Sequence, residues 1–177
     1  MEKVQDKFKK ALPSLTKNLG LSNNMSAPRI EKVIVSVGTA SYKDKKKYEL
    51  VLNRLAQITG QKPATTVAKK SIASFKLRAG DQAGVKVTLR GARMYDFLDR
   101  LINIAIPRER DFRGIKQSAI DDMGNISIGF KEHTIFPETA DEDVKDVFSF
   151  GVTIATTAKD KKQALALFQA IGLPFKK

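Results

Sequence analysis

QKPATTVAKKSIASFKLRAGDQAGVKVTLRGAR, the stretch from Gln61 to Arg93, decides the reading of this chain. Thr65 to Lys69 and Val85 to Leu89 read as strands. In the second, Val85, Val87 and Leu89 alternate with Lys86, Thr88 and Arg90, the period of two that puts one set inside and the other out. Between them, Ser71 to Gly84 holds two glycines and reads as a long loop. Two strands that bracket one loop are expected to pair antiparallel, with Lys86, Thr88 and Arg90 on a polar face. The stretch is also very basic. Lys62, Lys69, Lys70, Lys76, Arg78, Lys86, Arg90 and Arg93 face one acid, Asp81, so these 33 residues hold +7 of the chain's net +13.

Working outward, the remaining elements follow from periodicity. Val4, Phe8, Leu12, Leu15 and Leu19 predict a helix ending at Gly20, with a kink or a second start at Pro13. Ile30 to Val37 is β-branched and predicts a strand closed by Gly38. Tyr48, Val51, Leu52, Leu55 and Ile58 make a helical stripe, and Met94 to Ala105 another, stopped by Pro107. Asn125 to Phe136 and Val147 to Ala158 predict two more strands. Asp160 is expected to cap a last helix, with Gln163 completing a capping box and Leu165, Phe168 and Ile171 facing inward. The expected fold is α+β: one domain over residues 1–177, a mainly antiparallel sheet with helices packed on one face and the other face open.

Composition excludes much. The chain has 177 residues, 42% of them apolar, enough for an ordinary core. It has no Cys, so no disulfide, thiol nucleophile or Cys-based metal site is possible. One His, His133, rules out a multi-His metal centre, and its place on an alternating strand predicts a surface or boundary position. The opening residues Met1 to Asp6 alternate charges and lack a signal-peptide core, and no apolar run has the length of a membrane span. No phosphate-binding glycine loop or nucleophile motif occurs. The expectation is a non-enzymatic protein with no cofactor, no metal and no membrane partner.

The concentrated charge points to a polyanion, because cations that neutralise phosphates release counterions. Phe75, set among loop cations, either stacks on a base or ribose or pins the loop to the body. Arg108 to Lys116 (RERDFRGIK) reads as an internally paired turn. Glu138 to Asp146 is acidic but lacks the spacing of a calcium loop, so it reads as a solvated segment or a surface for a basic protein. An RNA-processing enzyme would need clustered carboxylates near the basic face, where only Asp81 stands. A DNA-binding regulator would need a recognition helix, whereas here the charge lies on strands and a loop.

The motifs then carry a resemblance that runs from the first helix to the last lysine. They are GQKP at Gly60–Pro63, the Lys69–Gly80 pattern, VTLRG at Val87–Gly91, RMYDF with RL across Arg93–Leu101 and PRERDFRGI at Pro107–Ile115. They continue with GN-S-G at Gly124–Gly129, IFPE at Ile135–Glu138, TTAK at Thr156–Lys159 and PFKK at Pro174–Lys177. In these the chain resembles the bacterial large-subunit ribosomal protein five family, the carriers of 5S rRNA. The resemblance implies a cytoplasmic, ribosomal protein of the central protuberance that grips 5S rRNA with the open sheet face and attaches it to 23S rRNA. Carried over by position, that face comprises Ser36, Gly38, Gln61, Lys62, Thr66, Thr88 and Arg90.

The resemblance also implies that the loop of about residues 69–84 reaches P-site tRNA through Lys69, Lys70, Ser71, Phe75, Lys76 and Arg78. The region after IFPE is expected at an intersubunit bridge, where Glu138, Asp141, Glu142 and Asp143 would meet a basic small-subunit head protein. Neighbouring large-subunit proteins complete the expected partners. The chain departs from the family in three places. Ser36-Val37-Gly38-Thr39-Ala40 stands for the usual Asn-Met-Gly-Val-Gly. Ile120 to Ser127 lacks the usual Arg and Tyr, and Phe148-Ser149-Phe150-Gly151 replaces a typical Arg-Gly-hydrophobic-Asp.

Overall fold

Alternating strands and striped helices fold as an α+β structure. The computed structural model describes residues 2–42, 45–140 and 146–176. Five strands, β1 (Ile30–Gly38), β2 (Ala64–Val67), β3 (Gln82–Leu89), β4 (Ile126–Phe130) and β5 (Phe150–Thr156), form one sheet in the order β2-β3-β1-β5-β4. The helices are α1 (Val4–Asn18), α2 (Lys45–Thr59), α3 (Gly91–Arg100), the short α4 (Ile106–Arg108) and α5 (Lys161–Ile171). With α2 linking β1 to β2, and β3 inserted between those two strands, the first half is a split β-α-β unit. β2 and β3 pair antiparallel, as the sequence predicts, with Ala64 opposite Lys86 and Thr66 opposite Gly84.

The chain divides into two compact units. One comprises Met1–Val33, Leu89–Ile128 and Thr153–Lys177. In it α1 packs on α5 and α3, and Val4, Leu15, Phe97, Leu101, Leu167 and Phe168 are buried. Pro13 neither breaks nor restarts α1, which runs unbroken to Asn18. The helical run that starts at Gly91 continues past Arg100 and ends at Arg108, one residue beyond the expected stop at Pro107. Residues Leu101–Ala105 widen into a π turn, in which the Ile106 N–H reaches back five residues to the Leu101 carbonyl. Pro107 then falls in the first turn of α4, where no N–H is needed. In α5 the inward residues are Ala164, Leu167, Phe168 and Ile171, while Leu165 is half-buried. The expected capping box is shifted: the Gln163 side chain accepts from the Lys159 N–H at 3.2 Å, and Asp160 makes no side-chain cap.

The RERDFRGIK segment, expected to be a self-paired turn, is tied at its end to the C-terminal residues. Ile115 N–H donates to the Pro174 carbonyl at 2.8 Å, and Lys176 N–H donates to the Ile115 carbonyl at 2.9 Å. Gly114 permits this approach. Its φ is 92°, and a Cβ there would lie 2.7 Å from the Lys176 nitrogen.

The second unit comprises Ile34–Thr88 and Gly129–Val152. Here Val35, Val37, Val85 and Val87 are buried with Val51, Leu55 and Ile58 of α2, so one face of these strands forms the core. His133 corrects the expectation of a surface position: it is 0% exposed. β4 ends at Phe130 and the chain enters a 3-10 turn at His133–Ile135, so the strand's alternation no longer applies. The imidazole stacks on Phe148 with ring centres 4.0 Å apart, and its Nδ1 accepts the Phe148 N–H at 3.3 Å.

Candidate nucleic-acid interface

The face opposite the second unit's core is polar and open. On β1, Ser36 and Gly38 are exposed between buried Val35, Val37 and Thr39. On β3, Lys86 is exposed and Thr88 half-buried; on β2, Thr66 is half-buried. Lys62 is exposed just before β2. Gln61 is braced rather than free. Its Nε2 donates to the Thr88 carbonyl at 3.3 Å, which holds the carboxamide against β3. Six of the seven residues expected on this face therefore lie in one unit, on three adjacent strands and the turn before them.

Gly84 is buried where β3 lies against β1 and β2, although the sequence reads it as part of the loop. A Cβ there would come within 2.8 Å of the Val37 carbonyl oxygen and 3.1 Å of Thr66 Oγ1. Only glycine lets β3 lie that close to its neighbours. The available signal was a glycine inside an extended alternation that continues back to Gln82.

Arg90, the seventh residue, lies in the other unit, between Leu89 and the start of α3. It is exposed, and its Nη1 contacts Glu31 Oε1 at 3.3 Å; Lys32 Nζ lies 4.0 Å from the same oxygen. Glu31 did not stand out in the sequence. It is the second residue of a β-branched strand and shares no motif with Arg90.

The loop between β2 and β3 spans residues 68–81, three residues earlier than the expected Ser71–Gly84, and it is built. Ala68 N–H donates to the Asp81 carbonyl and Gly80 N–H to the Ala68 carbonyl, at 2.8 and 2.9 Å. Ile72 and Leu77 exchange two backbone bonds around a 3-10 turn at Ala73–Phe75, and Lys76 turns the chain with φ 53°. Ser71 Oγ accepts from Ala79 N–H, and Asp81 Oδ2 from Arg78 N–H. Lys69, Lys70, Ser71, Lys76 and Arg78 are all exposed. Phe75 is 71% exposed, so its ring does not pin the loop to the body.

Of the acidic set, Glu138 is exposed in the 3-10 turn Pro137–Thr139, while Asp141, Glu142 and Asp143 lie outside the described residues. The flanks of that segment are held in place. Thr139 Oγ1 donates to the His133 carbonyl at 3.0 Å, and His133 holds Phe148 as described. Among the described residues, no group of His, Asp and Glu is placed to hold a metal ion. No helix among them is long and apolar enough to cross a membrane.

Comparison with known proteins shows the family. Residues 23–78 match the family model described as Ribosomal protein L5, and residues 82–175 match the model of that ribosomal family's C-terminus. The chain is 48% identical over 176 residues to the large ribosomal subunit protein uL5 of Ureaplasma urealyticum, covering 98% of this chain and 96% of that one. It is 45% identical over 177 residues to the protein of that name from Mycoplasma mycoides, covering 99% and 98%. It is 47% identical over 178 residues to that from Brachyspira hyodysenteriae, covering 99% and 95%. Matches of this identity over nearly the whole length, on an α+β fold with one open basic face, place the chain in the ribosomal protein L5 family.

Proposed function

We propose that the chain is a structural, non-catalytic constituent of the large ribosomal subunit in the cytoplasm, and that it carries 5S rRNA and attaches it to 23S rRNA in the central protuberance. The observation that carries this reading is the open polar face, where Ser36, Gly38, Thr66, Lys86 and Thr88 flank a Gln61 already fixed against β3. Hydroxyls, a carboxamide and exposed glycine backbone suit sugar and phosphate oxygens, and the cations supply affinity. Lys62 and Arg90 complete the proposed contact set. An RNA-cleaving reading gains no support: Asp81, the acid beside the basic loop, is engaged by the loop's own backbone.

The built loop of residues 68–81 is proposed to reach P-site tRNA through Lys69, Lys70, Ser71, Phe75, Lys76 and Arg78. The acidic segment with Glu138, Asp141, Glu142 and Asp143 is proposed to face a basic small-subunit head protein at an intersubunit bridge. Binding of the purified protein to 5S rRNA, titrated with salt against an unrelated duplex RNA of equal length, tests the central claim. Six phosphate contacts give a log–log slope of about −4 to −5. A preference for 5S rRNA should survive physiological salt and weaken in Gln61→Ala and Arg90→Ala. Equal binding of both RNAs would overturn the reading.

A further inference from the structure

Arg90 is proposed above as an RNA contact, yet it does not stand as a free cation. Its Nη1 is held 3.3 Å from Glu31 Oε1 on β1, and both side chains remain about half exposed, at 58% and 48%. A guanidinium has five N–H donors in a planar fork. One carboxylate at Nη1 leaves the rest of the fork open. The bond limits the orientations that this open part can take. Lys32 Nζ, 4.0 Å from the same oxygen, adds a second cation to the group. The three charges therefore form a small array of net +1, in which one carboxylate oxygen is shared by the two cations.

Such an array treats two kinds of RNA differently. A phosphate arriving at the open part of the fork meets a cation held in position. A phosphate arriving from the carboxylate side meets a negative charge. We propose that Glu31 is a positioning residue for RNA recognition: it fixes Arg90 for one phosphate geometry and lowers the affinity for RNA that lacks it. Glu31 thereby acts on specificity and not on total affinity. This inference rests on the reading of the open face as a 5S rRNA site.

Glu31→Gln removes the charge while keeping the size of an exposed side chain, so the fold should hold and the melting temperature should stay near that of wild type. Affinity for the unrelated duplex RNA should rise about two- to fivefold, the scale of one exposed ion pair. The salt slope on that RNA should steepen by about 0.7–0.9, one more phosphate neutralised. The ratio of 5S to duplex affinity should fall by a similar factor. In an Arg90→Ala background, Glu31→Gln should leave the ratio unchanged, because no fork remains to be positioned. A merely structural Glu31 would move the melting temperature and not the salt slope. An unchanged ratio in Glu31→Gln, or an equal change with and without Arg90, would overturn the inference while the 5S reading stands. Loss of 5S preference in the wild-type protein would instead bring down the reading and the inference together.

Discussion

Single residues set the turns on which the larger elements rest, and Asp121 shows how. Its Oδ1 accepts the Asn125 N–H at 2.6 Å and its Oδ2 accepts from Asn125 Nδ2 at 2.9 Å. Asn125 Oδ1 in turn accepts the Thr156 N–H, and the Thr156 hydroxyl donates to the Gly124 carbonyl. The Asn125 side-chain bond is the main reason that the Asp121 carboxyl titrates below its ordinary value; desolvation opposes the shift, and backbone N–H groups and Lys161 assist it. A depressed folded pKa means that this stabilisation is fully present above the unfolded value, near pH ~4, and is lost as pH falls through the folded value. The carboxyl is largely exposed and solvent screens its contacts, so Asp121→Asn should cost less than about 1 kcal/mol at pH 7. Denaturant unfolding of both proteins should show that gap narrowing below about pH 4; a gap that stays constant to about pH 3 would contradict it. This turn keeps its Asp, Gly and Asn where the chain departs from the family's usual Arg and Tyr, so the departure spares the hydrogen bonds. Other residue-level facts were illegible in the sequence. His133 was misplaced because a strand's alternation was extended past the point where the strand ends. Leu165 was taken as core because a strict spacing of three drifts off a 3.6-residue helix, whereas Ala164, Leu167, Phe168 and Ile171 follow it.

Elements were easier to read than their ends. Alternation locates β3, but its first three residues read as loop, since the period continues through them only in the small Ala83, beside Gly84. Proline acts differently in the two helices that contain it. In one, packing against α5 and α3 keeps α1 whole; in the other, a π turn moves Pro107 to a position that needs no donor. The loop of residues 68–81 shows no regular pattern in the sequence, because its order comes from paired backbone bonds and from Ser71 and Asp81, each accepting one N–H. That construction has a consequence. A hairpin that closes on itself does not need its tip residue for stability, so Phe75 is available to a partner. Phe75→Ala should leave the melting temperature and 5S rRNA binding unchanged. In reconstituted ribosomes it should weaken P-site tRNA binding by about 1–3 kcal/mol, the contribution of one aromatic–base stack. A drop in melting temperature with tRNA affinity intact would show instead that the ring serves the loop.

At the scale of the whole molecule, charge was the most legible property, because it depends on composition and not on geometry. The chain carries +13, and the face and loop that the fold exposes are the stretch where the sequence concentrates it. Against that background the acids from Glu138 to Asp146 are an exception. A strongly cationic protein has no electrostatic need to remove them, since they reduce its self-repulsion. Their concentration in one segment, whose flanks at Thr139 and Phe148 are both held by His133, favours a local task. The triple variant Asp141→Asn, Glu142→Gln, Asp143→Asn separates the local from the global effect of charge. It raises the net charge from +13 to +16, so affinity for RNA should stay level or increase. Binding of a basic protein at the bridge should move the other way. With about 0.2–1 kcal/mol for each exposed ion pair, losing three should weaken subunit association roughly tenfold at low magnesium and low salt. High salt should shrink that difference, because exposed pairs are screened beyond about 10 Å at 0.1 M. Sedimentation of reconstituted subunits across a magnesium series reads the effect, with 5S rRNA binding as the control for folding. Association that is unchanged while RNA binding tightens would mean that the segment only moderates the chain's own charge.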